Sequence, residues 1–106
     1  MKNLNKISKV KREEIKTILS NEDVIKYFDS IKIFGSAITD HCHEDSDIDM
    51  FVALKPEYAN DQGANDAFFA LITASESGKD IFFAHEQHGE FNPGLYEAML
   101  AGVEVL

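Results

Sequence analysis

Two short apolar runs, joined by a polar and acidic loop, constrain the fold of this chain more than any other feature of its sequence. The first runs from Ile31 to Phe34 and ends in Gly35-Ser36, and the second runs from Asp47 to Leu54. Both are too short for a typical helix, and the first is rich in β-branched residues, which favours strands. Side chains alternate along a strand, so Asp47 and Asp49 share one face of the second run. The pattern predicts two strands, the second opening with a pair of carboxylates.

The rest of the chain predicts helices and one or two further strands around this pair. The predicted elements are a helix over residues 6–20, a short helix through Val24 to Phe28, a helix through Ala64 to Ile72, a strand from Asp80 to Ala84, a helix that begins at Asn92-Pro93 and a last strand from Val103 to Leu106. Turn-forming residues at 57–63 and a polar loop from Glu86 to Phe91 separate them. Three or four strands covered by helices predict an α+β or two-layer α/β fold. The length of 106 residues fits a single domain over 1–106.

Apolar stripes and capping residues define the predicted helices further. The first helix has an apolar stripe, interrupted by Lys11 and Glu14, and a solvent-exposed face. The stripe is Ile7, Val10, Ile15, Ile18 and Leu19, and the exposed face is Lys9, Lys11, Arg12, Glu13 and Lys16. Ser20 would begin the next helix in a capping box with Asp23, and Gly78 would cap the end of the third helix. The core is predicted to include Phe68, Phe69, Phe82 and Phe83.

The formal net charge of −9 bounds the possible partners. Binding of duplex nucleic acid depends on Lys and Arg at phosphates, so it is not expected here. An acidic site can still bind a nucleotide through divalent cations, and a basic protein is a second fitting partner. The single cysteine, Cys42, fits a reducing compartment. With no apolar signal segment and no membrane span, the sequence predicts a cytoplasmic protein.

Carboxylates at the start of two predicted strands are the strongest chemical signal. Asp47 and Asp49 would have Cα atoms about 6.5–7 Å apart and side chains that point the same way. Because aspartate is depleted in strands, the pair predicts a compensating ligand, and Mg²⁺ fits if phosphate oxygens and waters complete its coordination. Asp80 opens the next strand, and beside Asp49 it would complete the metal site or act as a general base. The alternative for Asp80 is an ordinary aspartate at a strand end.

Gly35-Ser36 predicts a place for phosphate. Glycine lets the backbone approach a ligand closely, and N–H groups of the following turn, with the Ser36 hydroxyl, would hold phosphate oxygens. The pair is common in turns. Gly35-Ser36 indicates a nucleotide site because of what surrounds it. A spacer, residues 37–46, and then Asp-x-Asp follow the pair, and an apolar run lies on each side.

The segments Ile33-Phe34-Gly35-Ser36 and Ser46-Asp47-Ile48-Asp49-Met50 together resemble the minimal nucleotidyltransferase family, a small branch of the DNA polymerase beta-like superfamily. That family is marked by Gly-Ser, a spacer of similar length and Asp-x-Asp, with a third Asp from a later strand. The helix before the first strand and the segment 95–103 also fit the resemblance.

The resemblance implies a mixed sheet flanked by helices, with a nucleoside triphosphate, ATP in particular, held by Gly35 and Ser36. It implies two Mg²⁺ ions held by Asp47 and Asp49, with Asp80 as the third carboxylate. It implies attack of a hydroxyl on the α-phosphorus and release of pyrophosphate. Members are often encoded beside a helical HEPN protein and act as its antitoxin, and some transfer AMP to a tyrosine of that partner. Members often carry Arg and Gly in the spacer, whereas residues 37–46 here contain no Arg, Lys or Gly.

The same residues bear on two kinds of metal site other than a magnesium site. A calcium-binding loop is excluded, because Met50 and Pro56 stand where Gly and Glu are required. A zinc site at His41, Cys42 and His43 has no second cluster at the right spacing, and contact with phosphate or a partner is the alternative role for these histidines.

Two other functions also remain. One is a catalytically weak or inactive acidic module that neutralises a basic or HEPN partner. The other is transfer to a small molecule such as an aminoglycoside, which usually requires a second domain. The sequence leaves the acceptor, the nucleotide and any oligomer open.

Overall fold

The fold is seen in a computed structural model that describes residues 1–86 and 92–106. Its elements are α1 (Lys9–Leu19), α2 (Glu22–Ile25), β1 (Phe28–Phe34), β2 (Ile48–Leu54), α3 (Asp61–Thr73), β3 (Lys79–Phe83), α4 (Pro93–Leu100) and β4 (Val103–Glu104). Short 3-10 helices lie at Leu4–Lys6, Gly35–Ile38 and Pro56–Tyr58. The predicted polar loop from Glu86 to Phe91 lies, except for Glu86, outside the described residues.

The four strands form one mixed sheet in the order β3-β2-β1-β4. Strand β1 is antiparallel to both β2 and β4, whereas β2 and β3 are parallel. Parallel neighbours need a crossover connection, which α3 provides. The predicted small mixed sheet flanked by helices is confirmed.

The sheet buries apolar side chains on both of its faces. The larger core contains alternate residues of the strands, including Ile31, Ile33 and Met50, together with Ile15 of α1 and Leu71 of α3. The smaller core lies on the opposite face and joins strand residues to α4. Its members are Phe34, Phe51 and Met99, with Phe82, Leu95 and Tyr96 packed against them. Asp49 alternates with buried Met50, so its carboxylate belongs to the face of the smaller core.

The residues that helix α1 buries against the sheet differ from the predicted ones. It begins at Lys9, after Ser8, whose hydroxyl accepts a hydrogen bond from the Val10 N–H. Lys11, predicted on the exposed face, is only 2% exposed, whereas Val10, predicted on the apolar stripe, is 45% exposed. The prediction failed because a lysine stem is apolar and can be buried if its ammonium finds partners.

The boundary between α1 and α2 also corrects the predicted capping box. Asn21, not Ser20, caps α2, because its side chain accepts a hydrogen bond from the Asp23 N–H at 3.0 Å. The Ser20 hydroxyl instead donates a hydrogen bond to the Lys16 carbonyl, in the last turn of α1. Phe28, predicted in the short helix, begins β1.

Helix α3 ends earlier than predicted and leaves aromatic side chains in solvent. It begins after Asn60, which accepts from the Gly63 N–H, and ends at Thr73 rather than near Gly78. Its buried face consists of Gly63, Ala67 and Leu71. Phe68 and Phe69, predicted in the core, are 41% and 68% exposed, because they lie outside the face of α3 that Gly63, Ala67 and Leu71 bury.

The last helix follows its prediction. The Asn92 side chain accepts from the Leu95 N–H at 3.1 Å, and Pro93 is the first helical residue. None of the described helices is long and apolar enough to cross a membrane.

Candidate active site

Strand register brings the predicted carboxylates to one end of the sheet. Asp49 of β2 stands in register with Asp80 of the parallel strand β3, and with Phe34 of the antiparallel strand β1. Gly35 follows Phe34 directly, so the Gly-Ser turn and Asp49 meet at this end. Asp47 precedes β2 by one residue and is exposed. We call Asp47, Asp49 and Asp80 the carboxylate cluster. The predicted proximity of Asp80 to Asp49 is confirmed, and the catalytic roles stay predictions.

Gly35 is required by its conformation and by its neighbour. Its φ of +71° lies in the left-handed region, which favours glycine. A Cβ at this position would collide with Oδ2 of Asp49. Gly35 therefore allows the carboxylate to lie directly against the backbone. It begins the 3-10 helix Gly35–Ile38, in which the Ser36 carbonyl accepts hydrogen bonds from the N–H and hydroxyl of Thr39.

Gly78 supports the cluster from the other side, which replaces its predicted role as a helix cap. A Cβ on Gly78 would collide with Oδ1 of Asp47. Its carbonyl accepts a hydrogen bond from the Ile48 N–H at 2.9 Å, at the point where β2 and β3 begin. The absence of a side chain at position 78 thus makes room for the Asp47 carboxylate.

The charges of the carboxylate cluster oppose one another. The pKa of Asp49 is raised from 3.8 to about 6, first by burial, then by a side-chain hydrogen bond to Asp80 and the charges of Asp80 and Asp47. A proton shared between Asp49 and Asp80 would relieve this repulsion, and so would a bound cation.

The carboxylate cluster is where the sequence predicts Mg²⁺. Over residues 1–86 and 92–106, no three His, Cys, Asp or Glu side chains are grouped as a ready metal site. The donor chemistry still fits Mg²⁺, because carboxylate oxygens are its preferred protein ligands and Asp49 stands in register with Asp80. Asp49 and Asp80, with Asp47 beside them, are the residues that would hold it.

A second polar cluster fixes the segments that lead into the first. Lys11, almost fully buried, donates from Nζ to the Glu44 carbonyl and to Oγ of Ser77, each at 2.8 Å. Glu44 belongs to the spacer before Asp47, and Ser77 precedes Gly78. One ammonium group therefore ties helix α1 to both chain segments that enter the carboxylate cluster.

Glu14, one helical turn from Lys11, completes this second cluster. Its carboxylate accepts from the N–H and hydroxyl of Ser77, at 3.0 and 2.6 Å, and from the Ser75 hydroxyl. Burial raises the pKa of Glu14, but the bonds from Ser75 and Ser77 and the charge of Lys11 outweigh it, so the pKa is lowered overall. We call Lys11, Glu14, Ser75 and Ser77 the Lys11 cluster.

Lys79 also supports the loop between α3 and β3. Its Nζ donates to the carbonyls of Ser75 and Ser77 at 3.1 and 2.9 Å, and burial lowers its pKa although Glu14 opposes that shift. The loop between α3 and β3 is thus held from two sides immediately before Asp80.

Sequence reasoning missed the Lys11 cluster, although a signal was present. Lys11 and Glu14 interrupt the apolar stripe of α1 at a spacing of three, which puts both on the face turned to the sheet. Two opposite charges in such a stripe indicate a buried polar network. Its partners, Ser75 and Ser77, lie more than 60 residues away in sequence and carry no local signal.

The zinc interpretation gains no support. Cys42 is buried, with Sγ 3.9 Å from the His43 carbonyl oxygen, while His41 and His43 are exposed.

Comparison with known proteins gives a family match. A family model described as "Polymerase beta, Nucleotidyltransferase" matches residues 13–88. No curated protein and no solved structure matches the chain. The matched residues run from α1 past β3 and include Gly35, Ser36 and the whole carboxylate cluster. On this match over most of its length, the chain belongs to the polymerase beta nucleotidyltransferase family.

Proposed function

We propose that this domain is a minimal nucleotidyltransferase that moves AMP from ATP to a hydroxyl group of a partner protein. The observation that carries the proposal is the register of Asp49 with Asp80, beside Gly35 and Ser36 at one end of the sheet. Membership of the nucleotidyltransferase family supports the reaction type.

Each group of the site has a role in this reaction. The acceptor hydroxyl oxygen bonds to the α-phosphorus, the bond from that phosphorus to the bridging oxygen breaks, and pyrophosphate leaves. Asp80, which stands in register with Asp49, accepts the hydroxyl proton as general base. Gly35 and Ser36 hold phosphate oxygens at the start of the 3-10 helix. Mg²⁺, when bound at the carboxylates, would neutralise charge on the triphosphate and on the leaving pyrophosphate.

The partner in this proposal is a HEPN-type protein, with this domain as its antitoxin. The resemblance to minimal nucleotidyltransferases suggests it, and the net charge of −9 is compatible with a basic partner.

The test uses labelled ATP, Mg²⁺ and the HEPN-type protein encoded by a neighbouring gene. We expect label to transfer to the partner, and to fall by about 100-fold or more in Asp49→Asn, because the site loses one of its charges. Asp45→Asn is the matched control, since Asp45 is exposed and lies outside β2. Absence of transfer by the wild-type protein, or equal transfer by Asp49→Asn, would refute the proposal.

A second candidate is a catalytically weak acidic module that neutralises its partner by binding alone. The exposed Phe68 and Phe69 on α3, with acidic Asp66 beside them, favour it as a contact surface. It predicts partner binding without ATP that survives Asp47→Ala and is lost in Phe69→Ser. Binding that requires ATP would exclude it.

A further inference from the structure

Helix α3 carries two apolar faces, and the sheet covers only one of them. The covered face consists of the buried residues Gly63, Ala67 and Leu71. On the other side of the helix, Phe68, Phe69 and Ile72 are 41%, 68% and 39% exposed. We call these three side chains the outer face of α3. Neighbouring apolar side chains in solvent cost free energy, so such a patch marks a contact surface.

The outer face is a concentration of apolar surface. Among the described residues, six large apolar side chains are exposed, and three of them form this face. The other three, Met1, Val10 and Leu100, lie on separate segments of the chain. A single exposed apolar residue is ordinary, whereas three that are neighbours on one helix surface call for a partner.

The spacing of the outer face fits a helix as the partner element. Ile72 lies one turn after Phe68, and exposed Asn65 lies one turn before both phenylalanines. Rows of side chains three and four residues apart form the ridges that pack into the grooves of another helix. A helical segment with apolar residues at the same spacing would bury both phenylalanines.

The surroundings of the outer face set the charge of that partner. Asp61 lies one turn before Asn65, Asp66 lies one turn before Phe69, and both aspartates are exposed. No Lys or Arg occurs between Lys55 and Lys79 in the sequence. The outer face is therefore apolar with an acidic rim. It complements a helix that is apolar on one side and carries Lys or Arg on its flanks.

The same charges oppose a second copy of this chain as the occupant. A two-fold axis beside α3 would set the outer faces against each other and would bring their acidic rims together. Each copy also has a net charge of −9, so the two copies repel each other. The charge pattern favours a partner of opposite sign.

The outer face and the carboxylate of Asp49 lie on opposite sides of the sheet. Helix α3 packs Leu71 into the larger core, which also contains Met50. Asp49 alternates with Met50 along β2 and belongs to the other face. A helix bound on the outer face therefore leaves Asp49 uncovered, and substitutions can separate partner binding from nucleotidyl transfer.

We propose that the outer face of α3 binds a basic amphipathic helix of a partner protein, with Phe68 and Phe69 as the anchoring side chains and Asp61 and Asp66 as the charge contacts. The inference rests on the proposed function for its partner, and it names the surface on which that partner binds and the chemistry of the segment it presents. The acceptor hydroxyl then belongs to a different part of the partner, because Asp49 lies across the sheet.

The first test measures binding of designed peptides by fluorescence anisotropy, without ATP or metal. The probe is an amphipathic helix of Leu and Lys about five turns long, and a scrambled peptide of the same composition is the control ligand. We expect the amphipathic peptide to bind, and Phe68→Ser/Phe69→Ser to weaken its binding about 30-fold or more. Equal binding of the scrambled peptide, or no binding of the amphipathic peptide by wild type, would overturn the inference.

The matched control for this test is Val10→Ser/Leu100→Ser. It removes two apolar side chains of comparable exposure from other helices, so it should bind the amphipathic peptide as the wild type does. Weakening of the same size in both double variants would show that the outer face is not the binding surface.

Asp66→Lys tests the charge of the rim. The variant should bind the Leu/Lys peptide about fivefold more weakly or worse, and should gain affinity for the corresponding peptide of Leu and Glu. Asp45→Lys makes the same change in the spacer, outside α3, and should bind both peptides as the wild type does. No difference between the two variants would overturn the basic character of the partner.

The HEPN-type protein encoded by a neighbouring gene separates this inference from the proposed function. Its binding should weaken about 30-fold in Phe68→Ser/Phe69→Ser, and the KM for transfer to it should rise while kcat is kept. If the wild type binds this protein in the expected pattern but transfers no AMP, the proposed function fails and the docking surface stands. Transfer and binding at wild-type levels by the variant would remove the docking surface and leave the proposed function.

Sedimentation of the protein alone tests the other occupant. We expect a monomer, because the acidic rims repel. A dimer that Phe68→Ser/Phe69→Ser abolishes would identify a second copy as the occupant of the outer face and would overturn the assignment to a basic helix.

Discussion

The carboxylate cluster and the Lys11 cluster are both polar and partly buried, yet their charges are balanced in opposite ways. In the Lys11 cluster, the ammonium and the carboxylate each have several hydrogen-bond partners, and the pKa of Glu14 is lowered. In the carboxylate cluster, like charges face one another, and the pKa of Asp49 is raised to about 6. The first arrangement stabilises the fold, whereas the second stores repulsion that a ligand can relieve.

Position along the chain adds to this difference. The Lys11 cluster joins α1 to the two segments that enter the site, through Glu44 and Ser77. The Lys11 cluster therefore holds the carboxylate cluster in place. Substitutions in the two clusters should differ in their effects on stability and on its pH dependence.

The largest effect on stability is expected from Glu14→Ala. It would leave buried Lys11 without its neighbouring negative charge and the Ser77 N–H without its acceptor, at a cost of about 3 kcal/mol in the free energy of unfolding. Chemical denaturation measures this cost. Glu13→Ala is the matched control on the same helix, because its ion pair with Lys16 is exposed, and it should cost less than about 0.5 kcal/mol. Similar losses for both would show that the Lys11 cluster is not a special support.

Gly35→Ala should have the next largest effect and should damage the site as well as the fold. The positive φ and the collision with Asp49 together should cost about 2 kcal/mol, and nucleotidyl transfer should be lost because the carboxylate is displaced. Gly94→Ala is the control, since the nearest atom to a Cβ there is 4.0 Å away and the residue is helical. It should leave transfer intact and stabilise the protein slightly. Wild-type transfer by Gly35→Ala would contradict the close packing of Asp49.

The smallest expected effect is a pH dependence that distinguishes the clusters. A carboxyl group whose pKa is raised on folding stabilises the native state below its ordinary pKa of 3.8 and loses that contribution as the pH rises through about 6. Without metal, this component of the free energy of unfolding should fall between about pH 4 and about pH 7.

Denaturation of the metal-free protein at several pH values, with Asp49→Asn alongside, isolates this component. The variant should lack the decline, whereas Asp45→Asn should keep it. The contribution of Glu14 to the free energy of unfolding changes with pH in the opposite direction. Its pKa is lowered on folding, so the stability it provides is lost as the pH falls. The same slope in wild type and Asp49→Asn would show that the charges of the carboxylate cluster are not in conflict.

The sequence was sufficient for features that depend on neighbours along the chain. The alternation at Ile48–Leu54 predicted β2, and Asn92-Pro93 predicted the start of α4, because alternation and capping are local. The meeting of Asp49 with Asp80 followed from two adjacent strands, each with an aspartate at its start.

The features that escaped prediction depend on contacts distant in sequence. Lys11 is buried because Ser77, 66 positions away, accepts from its ammonium. Gly78 resembles a helix cap in sequence, and only the folded chain sets it against Asp47. The apolar stripe of α3 and the hydrophobicity of Phe68 and Phe69 predicted a core position for both, but neither signal shows which side of the helix the sheet covers.

Because Gly35 and Asp49 lie against each other, the residue tolerated at one position depends on the residue at the other. A side chain can enter at position 35 only if the carboxylate at 49 is shortened or moved. Homologous chains that keep the acid must keep the glycine, whereas chains that lose Asp49 escape the collision and retain only the conformational preference of the positive φ for glycine. Co-substitution at the two positions would thus mark family members in which a carboxylate no longer lies against the backbone of the Gly-Ser turn.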